Sequence, residues 1–276
     1  MEVKRKRRYI EMSHIPHRLE IKNISIGYGD KIVLHDLSFQ VPHGSRVAVV
    51  GPNGAGKSTL FKALVGLLPL QKGNIFIHGE SLRTHQDCVA YVPQREEVDW
   101  RFPVTVSDVV MMGRFAQIGW LKRAARQDHE AVQKSLVQMG IADLAEQSIG
   151  QLSGGQQQRA FLARAIAQEP HILLMDEPFT GVDVTTQEAT LRLLDHLQEK
   201  QVTVIVSTHD LNLASSRFDL VLLLNHRLIA FGSPQEVFTK ENLAQAFGNS
   251  LLVMRNGMML VDECCPVEEE HHSETQ

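Results

Sequence analysis

The stretch VAVVGPNGAGKSTLFKALVG at residues 47–66 constrains the fold more than any other part of the chain. Val47-Ala48-Val49-Val50 is short, β-branched and apolar on both faces, which is how a strand inside a parallel sheet reads. Gly51, Gly54 and Gly56 then remove side chains where the backbone must bend sharply or approach something closely. From Ser58 the apolar residues Leu60, Phe61, Leu64, Val65 and Leu68 recur at helical spacing. Strand, glycine loop and helix together match G-x-x-x-x-G-K-[ST] from Gly51 to Ser58. Such a loop turns backbone N–H groups and a helix N-terminus toward anionic oxygens. Gly51, Pro52, Asn53, Gly54, Ala55, Gly56, Lys57, Ser58 and Thr59 are the expected phosphate-binding residues. Lys57 should reach the terminal phosphates and the Ser58 hydroxyl should ligate Mg²⁺.

A second stretch, HILLMDEP at 171–178, is an apolar strand ending in Asp176-Glu177. Carboxylates at the C-terminal end of a parallel strand lie at the crevice where ligands bind. Asp176 is expected to hold Mg²⁺, and Glu177 to polarise an attacking water. Without a phosphate loop upstream, the pair would read equally well as two solvated acids.

The rest of the chain bounds these expectations. With 276 residues and 43% hydrophobic content it can bury a sizeable core. No apolar run approaches the ~20 residues that span a bilayer. MEVKRKRRYIEMSH at the start lacks the apolar segment of a signal peptide. Cys88, Cys264 and Cys265 are too scattered for a disulfide framework, which suggests a reducing compartment. A net charge of −4 gives no general reason to expect nucleic acid as a partner. Residues 1–17 read as a basic, disordered arm. Residues 249–276 read as an extension whose acidic tail, with Cys264, Cys265, His271 and His272, lacks a fixed metal-ligand spacing.

Between these ends, residues 19–41 alternate as antiparallel strands, and 73–79 and 88–93 read as further short strands. Val109, Val110 and Met112, then Val132, Leu136, Val137 and Met139, fall at helical spacings, with Gly140 as a helix stop. Strands return at 171–176 and 202–208 around a helix carrying Leu191, Leu193, Leu194 and Leu197. The alternation indicates a parallel, helix-flanked sheet, interrupted by a helical block at about 95–165.

QLSGGQQQRAFLARAIAQEP at 151–170 adds a second glycine-bearing helix start. With it, residues 19 to about 240 resemble the ATP-binding cassette (ABC) family, the nucleotide-binding subunits of ABC transporters. The motifs stand in that family's order: Tyr28, the phosphate loop, Gln94 in VPQ, LSGGQ, the Asp176 strand, Asp183 in TGVD and His209 in STHD. The resemblance implies an α/β fold: a P-loop NTPase core with a mainly parallel sheet, an N-terminal antiparallel β subdomain and an inserted α-helical subdomain, within a domain spanning 18–248. It implies ATP and Mg²⁺ as ligands and ATP hydrolysis as the activity. Tyr28 would stack on adenine, Gln94 would ligate Mg²⁺ and sense a membrane partner, and His209 would contact the γ-phosphate. Leu152, Ser153, Gly154, Gly155 and Gln156 would close over the nucleotide of a second, head-to-tail copy, which Asp183 would also face. Gly181 stands where alanine is more frequent in the family.

The segment QREEVDWRFPVTVSDVVMMGR at 94–114 is similar to the subgroup serving divalent metal importers for manganese, zinc or iron. Importers of iron–siderophore, haem and cobalamin type also resemble it, and soluble cassette ATPases of repair or translation are a more distant alternative. Glu96, Glu97 and Asp99 read as a solvated or partner-facing loop rather than metal ligands. The resemblance implies membrane-spanning permease partners, an extracytoplasmic solute-binding protein acting indirectly, no nucleic acid, and a peripheral place on the cytoplasmic face of the inner membrane.

Overall fold

A computed structural model describes residues 17–98, 100, 102–119, 122–248, 251–255 and 258–262. The basic arm to residue 16 and the tail from 263 lie outside the described residues, as do Asp99 and the two tail cysteines. The strands are β1 (His17–Tyr28), β2 (Lys31–Pro42), β3 (Arg46–Val50), β4 (Leu70–Ile77), β5 (Glu80–Ser81), β6 (Val89–Val92), β7 (Ile172–Asp176), β8 (Thr203–Thr208), β9 (Leu220–Asn225), β10 (Arg227–Gly232), β11 (Leu251–Arg255) and β12 (Met258–Asp262). The α-helices are α1 (Lys57–Leu64), α2 (Val106–Met112), α3 (Phe115–Ile118), α4 (Arg126–Gln138), α5 (Gly154–Ala167), α6 (Val184–Glu199), α7 (Leu211–Arg217), α8 (Pro234–Val237) and α9 (Lys240–Phe247).

Six strands in the order β10-β9-β3-β8-β7-β6 form the central sheet, parallel except for the β9–β10 pair. Its strands read as apolar runs because both faces are covered. Period-two alternation then deals the side chains to two cores. Val47, Val49, Ile172, Leu174 and Ile205 point into a core shared with α1 and the antiparallel sheet. Ala48, Val50, Leu173, Met175, Val204 and Val206 point into the other, packed under the helices. The antiparallel sheet has the order β2-β1-β4-β5. It is not wholly N-terminal, because the chain returns after α1 to add β4 beside β1 and β5 beside β4. Thus the two short strands expected at 73–79 and 88–93 go to different sheets. Their apolar runs are too short to carry that choice, which depends on the connection and on the packing of α1.

Two further readings are corrected. The α1 helix stops at Leu64, since Gly66 takes φ +75°, so Val65 and Leu68 lie beyond it and only partly buried. On α4 Val132 and Leu136 are buried, as is Met139 just past its end, but Val137 is 60% exposed. A residue one step beyond Leu136 is turned about 100° off the buried stripe. Gly140 does follow the helix end, at φ +64°. The strands β9 and β10 are not singled out by the sequence reading.

The helical block 106–167 is tied together by a buried ion pair. Arg114 Nε donates to Asp128 Oδ1 at 3.2 Å, with side chains 7% and 4% exposed. Arg114 Nη1 also reaches the Ala167 carbonyl at 2.8 Å and Glu169 at 3.1 Å, while Asp128 accepts from the Ala125 N–H. One guanidinium therefore joins the segment after α2 to the start of α4 and the end of α5. Removing one partner strands a buried charge. Arg114→Met is expected to destabilise the chain by about 3 kcal/mol. Arg126→Met, which breaks the exposed Arg126–Glu130 pair, should cost at most about 0.5 kcal/mol. Chemical-denaturation midpoints of the two variants check the contrast.

Candidate active site

Three strand ends converge on the candidate site. Val50 precedes the phosphate loop, Asp176 ends β7, and Thr208 ends β8 between them. Gly56 caps α1 at φ +98°, and a Cβ there would press on the Leu34 side chain of β2. Only glycine meets both demands. The loop is thereby wedged against the β1–β2 hairpin. The tip of that hairpin carries Tyr28, 52% exposed, and is held by Gln71, whose Nε2 donates to the Gly29 carbonyl at 2.7 Å.

Lys57 is 6% exposed. Its ammonium donates to the carbonyls of Gly51 at 2.9 Å and Pro52 at 3.1 Å, folding back over the loop. Burial pushes its pKa down, and the negative charges of Glu177 and Asp176 oppose that shift. Ser58 is half-buried and Thr59 buried on the first turn of α1, while Asn53 and Gly54 are exposed and Ala55 is buried.

Glu177 is the hub. Its carboxylate lies 4.0 Å from Lys57 Nζ and 4.0 Å from His209 Nδ1, and it accepts a long bond from Gln94 Nε2 at 3.5 Å. Thr180 Oγ1 donates to it at 3.3 Å. Its backbone sits at φ +47°, a left-handed conformation that a non-glycine residue adopts at a cost. Lys57, Gln94, Glu177 and His209, expected from four separate motifs, are thus brought to one place.

Two supporting residues escape the sequence reading. Ser207 is fully buried; its hydroxyl donates to Asp176 Oδ1 and accepts from the Glu177 N–H at 2.9 Å. One hydroxyl therefore orients both acids. The available signal was a serine two residues before His209, inside a strand that needs no polar group for its own sake. Tyr91 donates to Asp176 Oδ2 at 3.5 Å, and burial pushes its pKa far above the ordinary tyrosine range, so it stays a donor.

Ser153 caps α5 in a reciprocal box: its Oγ accepts from Gln156 N–H at 3.3 Å, and Gln156 Oε1 accepts from Ser153 N–H at 2.8 Å. Leu152 is buried and Ser153 exposed. Asp183 caps α6 through the Thr186 N–H at 2.8 Å, and that bond chiefly lowers its pKa. A Cβ on Gly155 would collide with Asp183 Oδ2 and Thr186 Oγ1, so the two loops touch. Gly154 lies under the Arg95 guanidinium. Among the described residues, no hydrogen bond or ion pair joins residues 152–156 to 51–59.

A family model described as ABC transporter matches residues 34–180. The chain belongs to the ABC transporter family. It is 47% identical over 241 residues to the manganese transport system ATP-binding protein MntB of Bacillus subtilis, covering 87% of this chain and 96% of that protein. It is 42% identical to the zinc transport system ATP-binding protein TroB of Treponema pallidum, covering 87% and 91%. At 42% identity it also matches YfeB of Yersinia pestis, a chelated iron transport system membrane protein, over 87% of this chain and 83% of that one. Among solved structures, an inward-facing ABC transporter assigned to the metal-chelate type superposes with TM-score 0.73 at 30% identity, over 84% of this chain and 89% of the other. As an ABC ATP-binding subunit the protein binds nucleotide, hydrolyses ATP to drive transport, dimerises and works with membrane permeases.

Ser207→Ala should leave Asp176 and the Glu177 N–H short of a partner. The expected cost is about 1–3 kcal/mol of stability, with a fall in ATP turnover that exceeds any loss of nucleotide affinity. Calorimetric ATP binding measured beside steady-state hydrolysis checks it.

Proposed function

We propose that this ABC subunit powers an importer of a divalent metal ion, of the manganese, zinc or iron class. The observation that carries the catalytic part is the convergence of Lys57, Gln94 and His209 on the Glu177 carboxylate. The metal part is supported by the MntB and TroB relatives. A chelated-iron cargo is the second reading, favoured by the YfeB relative.

Lys57 exchanges the carbonyls of Gly51 and Pro52 for the β- and γ-phosphate oxygens of ATP, an exchange of neutral for charged acceptors that its buried ammonium favours. Loop N–H groups from Gly51 to Thr59 cradle the phosphates, and Tyr28 offers its exposed ring to the adenine. Ser58, Gln94 and Asp176 present a hydroxyl, an amide oxygen and a buried carboxylate, a hard-oxygen donor set that suits Mg²⁺. When bound, the ion neutralises charge developing on the β- and γ-phosphates. Glu177 accepts the proton of the attacking water, and His209, at the exposed rim, contacts the γ-phosphate.

Leu152, Ser153, Gly154, Gly155 and Gln156 complete the site of a second copy in a head-to-tail pair, with Asp183 beside them. This reading is supported by the lack of any hydrogen bond or ion pair between the two loops among the described residues. Exposed Phe102 and Phe115 flank the start of the helical block and offer an apolar docking face to a permease. Among the described residues no helix is long and apolar enough to cross a membrane. A peripheral place on the cytoplasmic face of the inner membrane, with a solute-binding protein on the far side of the permease, agrees with this. We read 18–248 as the ATPase domain, 95–165 as its helical subdomain and 249–276 as an extension. Among the described residues no cluster of His, Cys, Asp or Glu could hold the transported ion.

Glu177→Gln should cut hydrolysis by roughly 10²–10⁴-fold while leaving ATP affinity intact and accumulating an ATP-bound dimer. Light scattering with and without ATP, beside phosphate release, checks it; parental turnover would remove Glu177 as the base. Lys57→Ala should abolish measurable ATP binding. Deletion of the encoding gene should lower uptake of radiolabelled manganese, zinc or iron, and the ion affected names the cargo.

A further inference from the structure

Gln94 lies between two anchors on the signature helix α5. Upstream, Arg164 Nη2 donates to the Tyr91 carbonyl at 3.1 Å, with its guanidinium 4.3 Å over the Phe161 ring. Downstream, Arg95 donates through Nε and Nη2 to Gln157 Oε1 at 3.4 and 3.2 Å. Gln157 is 4% exposed and its amide nitrogen is engaged with the Ile149 carbonyl at 3.2 Å, which leaves its oxygen for Arg95. Trp100 closes the turn: its Nε1 donates to the Arg95 carbonyl at 3.0 Å and its ring packs 4.9 Å from Phe161.

The other end of the same turn holds a different body. Residues Arg95–Glu97 form one turn of 3₁₀ helix, and Glu97 accepts from Lys62 Nζ at 2.7 Å. Lys62 stands on α1, one turn past the phosphate loop. The hydrogen bond to the Glu97 carboxylate raises the Lys62 pKa, which keeps the ammonium protonated. Glu97 thus has a partner within the chain, in a segment whose sequence reads as a solvated or partner-facing loop.

We propose that the turn Arg95–Glu97 is a crossbar: Glu97–Lys62 fixes it to the phosphate-loop helix, Arg95–Gln157 fixes it to the signature helix, and the two grips together hold Gln94 against Glu177. Lys62 and Gln157 are then positioning residues for hydrolysis, not contributors to ATP affinity. The geometry explains why two grips are needed. The Gln94–Glu177 contact is long, at 3.5 Å, and a glutamine on a loop has three side-chain torsions to lose. A turn held at one end only would swing about that end and carry Gln94 with it. The proposal rests on the reading of Gln94 and Glu177 as hydrolytic residues.

The test measures kcat, KM and ATP affinity of the full chain for Glu97→Gln and Lys62→Gln, alone and combined with Gln94→Ala, with thermal midpoints as a check on folding. Both ends of the pair are partly exposed, so the fold should tolerate either change. Each is expected to lower kcat about three- to fivefold, the scale of one partly exposed ion pair, with KM and ATP affinity unchanged. Lys62→Arg, which keeps the charge, should recover most of kcat. In the Gln94→Ala background neither change should cost anything further, because the group being positioned is gone. Losses that multiply in that background, an effect on KM alone, or parental kcat in both single variants would overturn the crossbar. Parental kcat in Gln94→Ala alone would overturn the reading of Gln94, and the crossbar with it.

Discussion

The structure depends on a buried charge arrangement at the C-terminal edge of a parallel sheet. Lys57 is almost wholly enclosed, and Asp176 more so. Neither could be buried ionised alone without a large desolvation cost. Lys57 is held by two loop carbonyls and faced by Glu177, while Asp176 is held by Ser207 and Tyr91. The strands β3, β7 and β8 lie side by side and are buried along nearly their whole length, so they give these groups a stiff floor. Only at the strand ends does backbone leave the sheet, and only there can polar groups gather around a ligand.

That floor also explains why the acidic site needs supports from elsewhere in the chain. Glu177 sits at the first residue past β7 in a left-handed conformation, which points its carboxylate back over the phosphate loop. The conformation persists because Ser207, one strand over, grips its N–H. Strain at the site is thus stabilised by the neighbouring strand, a common arrangement where a side chain must be aimed.

The signature helix serves a second purpose beyond its N-terminus. Its length carries Gln157, Phe161 and Arg164, each engaged with the segment on either side of Gln94. Its far end is reached by Arg114 through the Ala167 carbonyl. The helix thus runs from the Ser153 cap to the Arg114 contact, with the segments on either side of Gln94 held to it between those ends.

The phosphate loop, the Asp176 strand, the glycine-bearing start of α5 and the alternation of strands with helices were legible in the chain, because each is a local pattern. Glycine spacing and a period of two or 3.6 act over fewer than ten residues or so. Ser207 left one faint mark, a hydroxyl inside an apolar strand two residues before His209, whereas nothing near Tyr91 or the Lys62–Glu97 pair marks the one phenol, or the one acid among three, that is engaged. The division of 73–79 and 88–93 between two sheets was hidden for the same reason, whereas the outward turn of Val137 follows from the helical period alone. By itself the sequence determined which residue types stand at strand ends and helix starts, and so the class of ligand they suit. Only the tertiary structure decided which of them meet around Glu177 and which buried groups hold them there. Those outcomes depend on contacts between residues tens to more than a hundred positions apart, whose energy belongs to the packed arrangement and not to any segment alone.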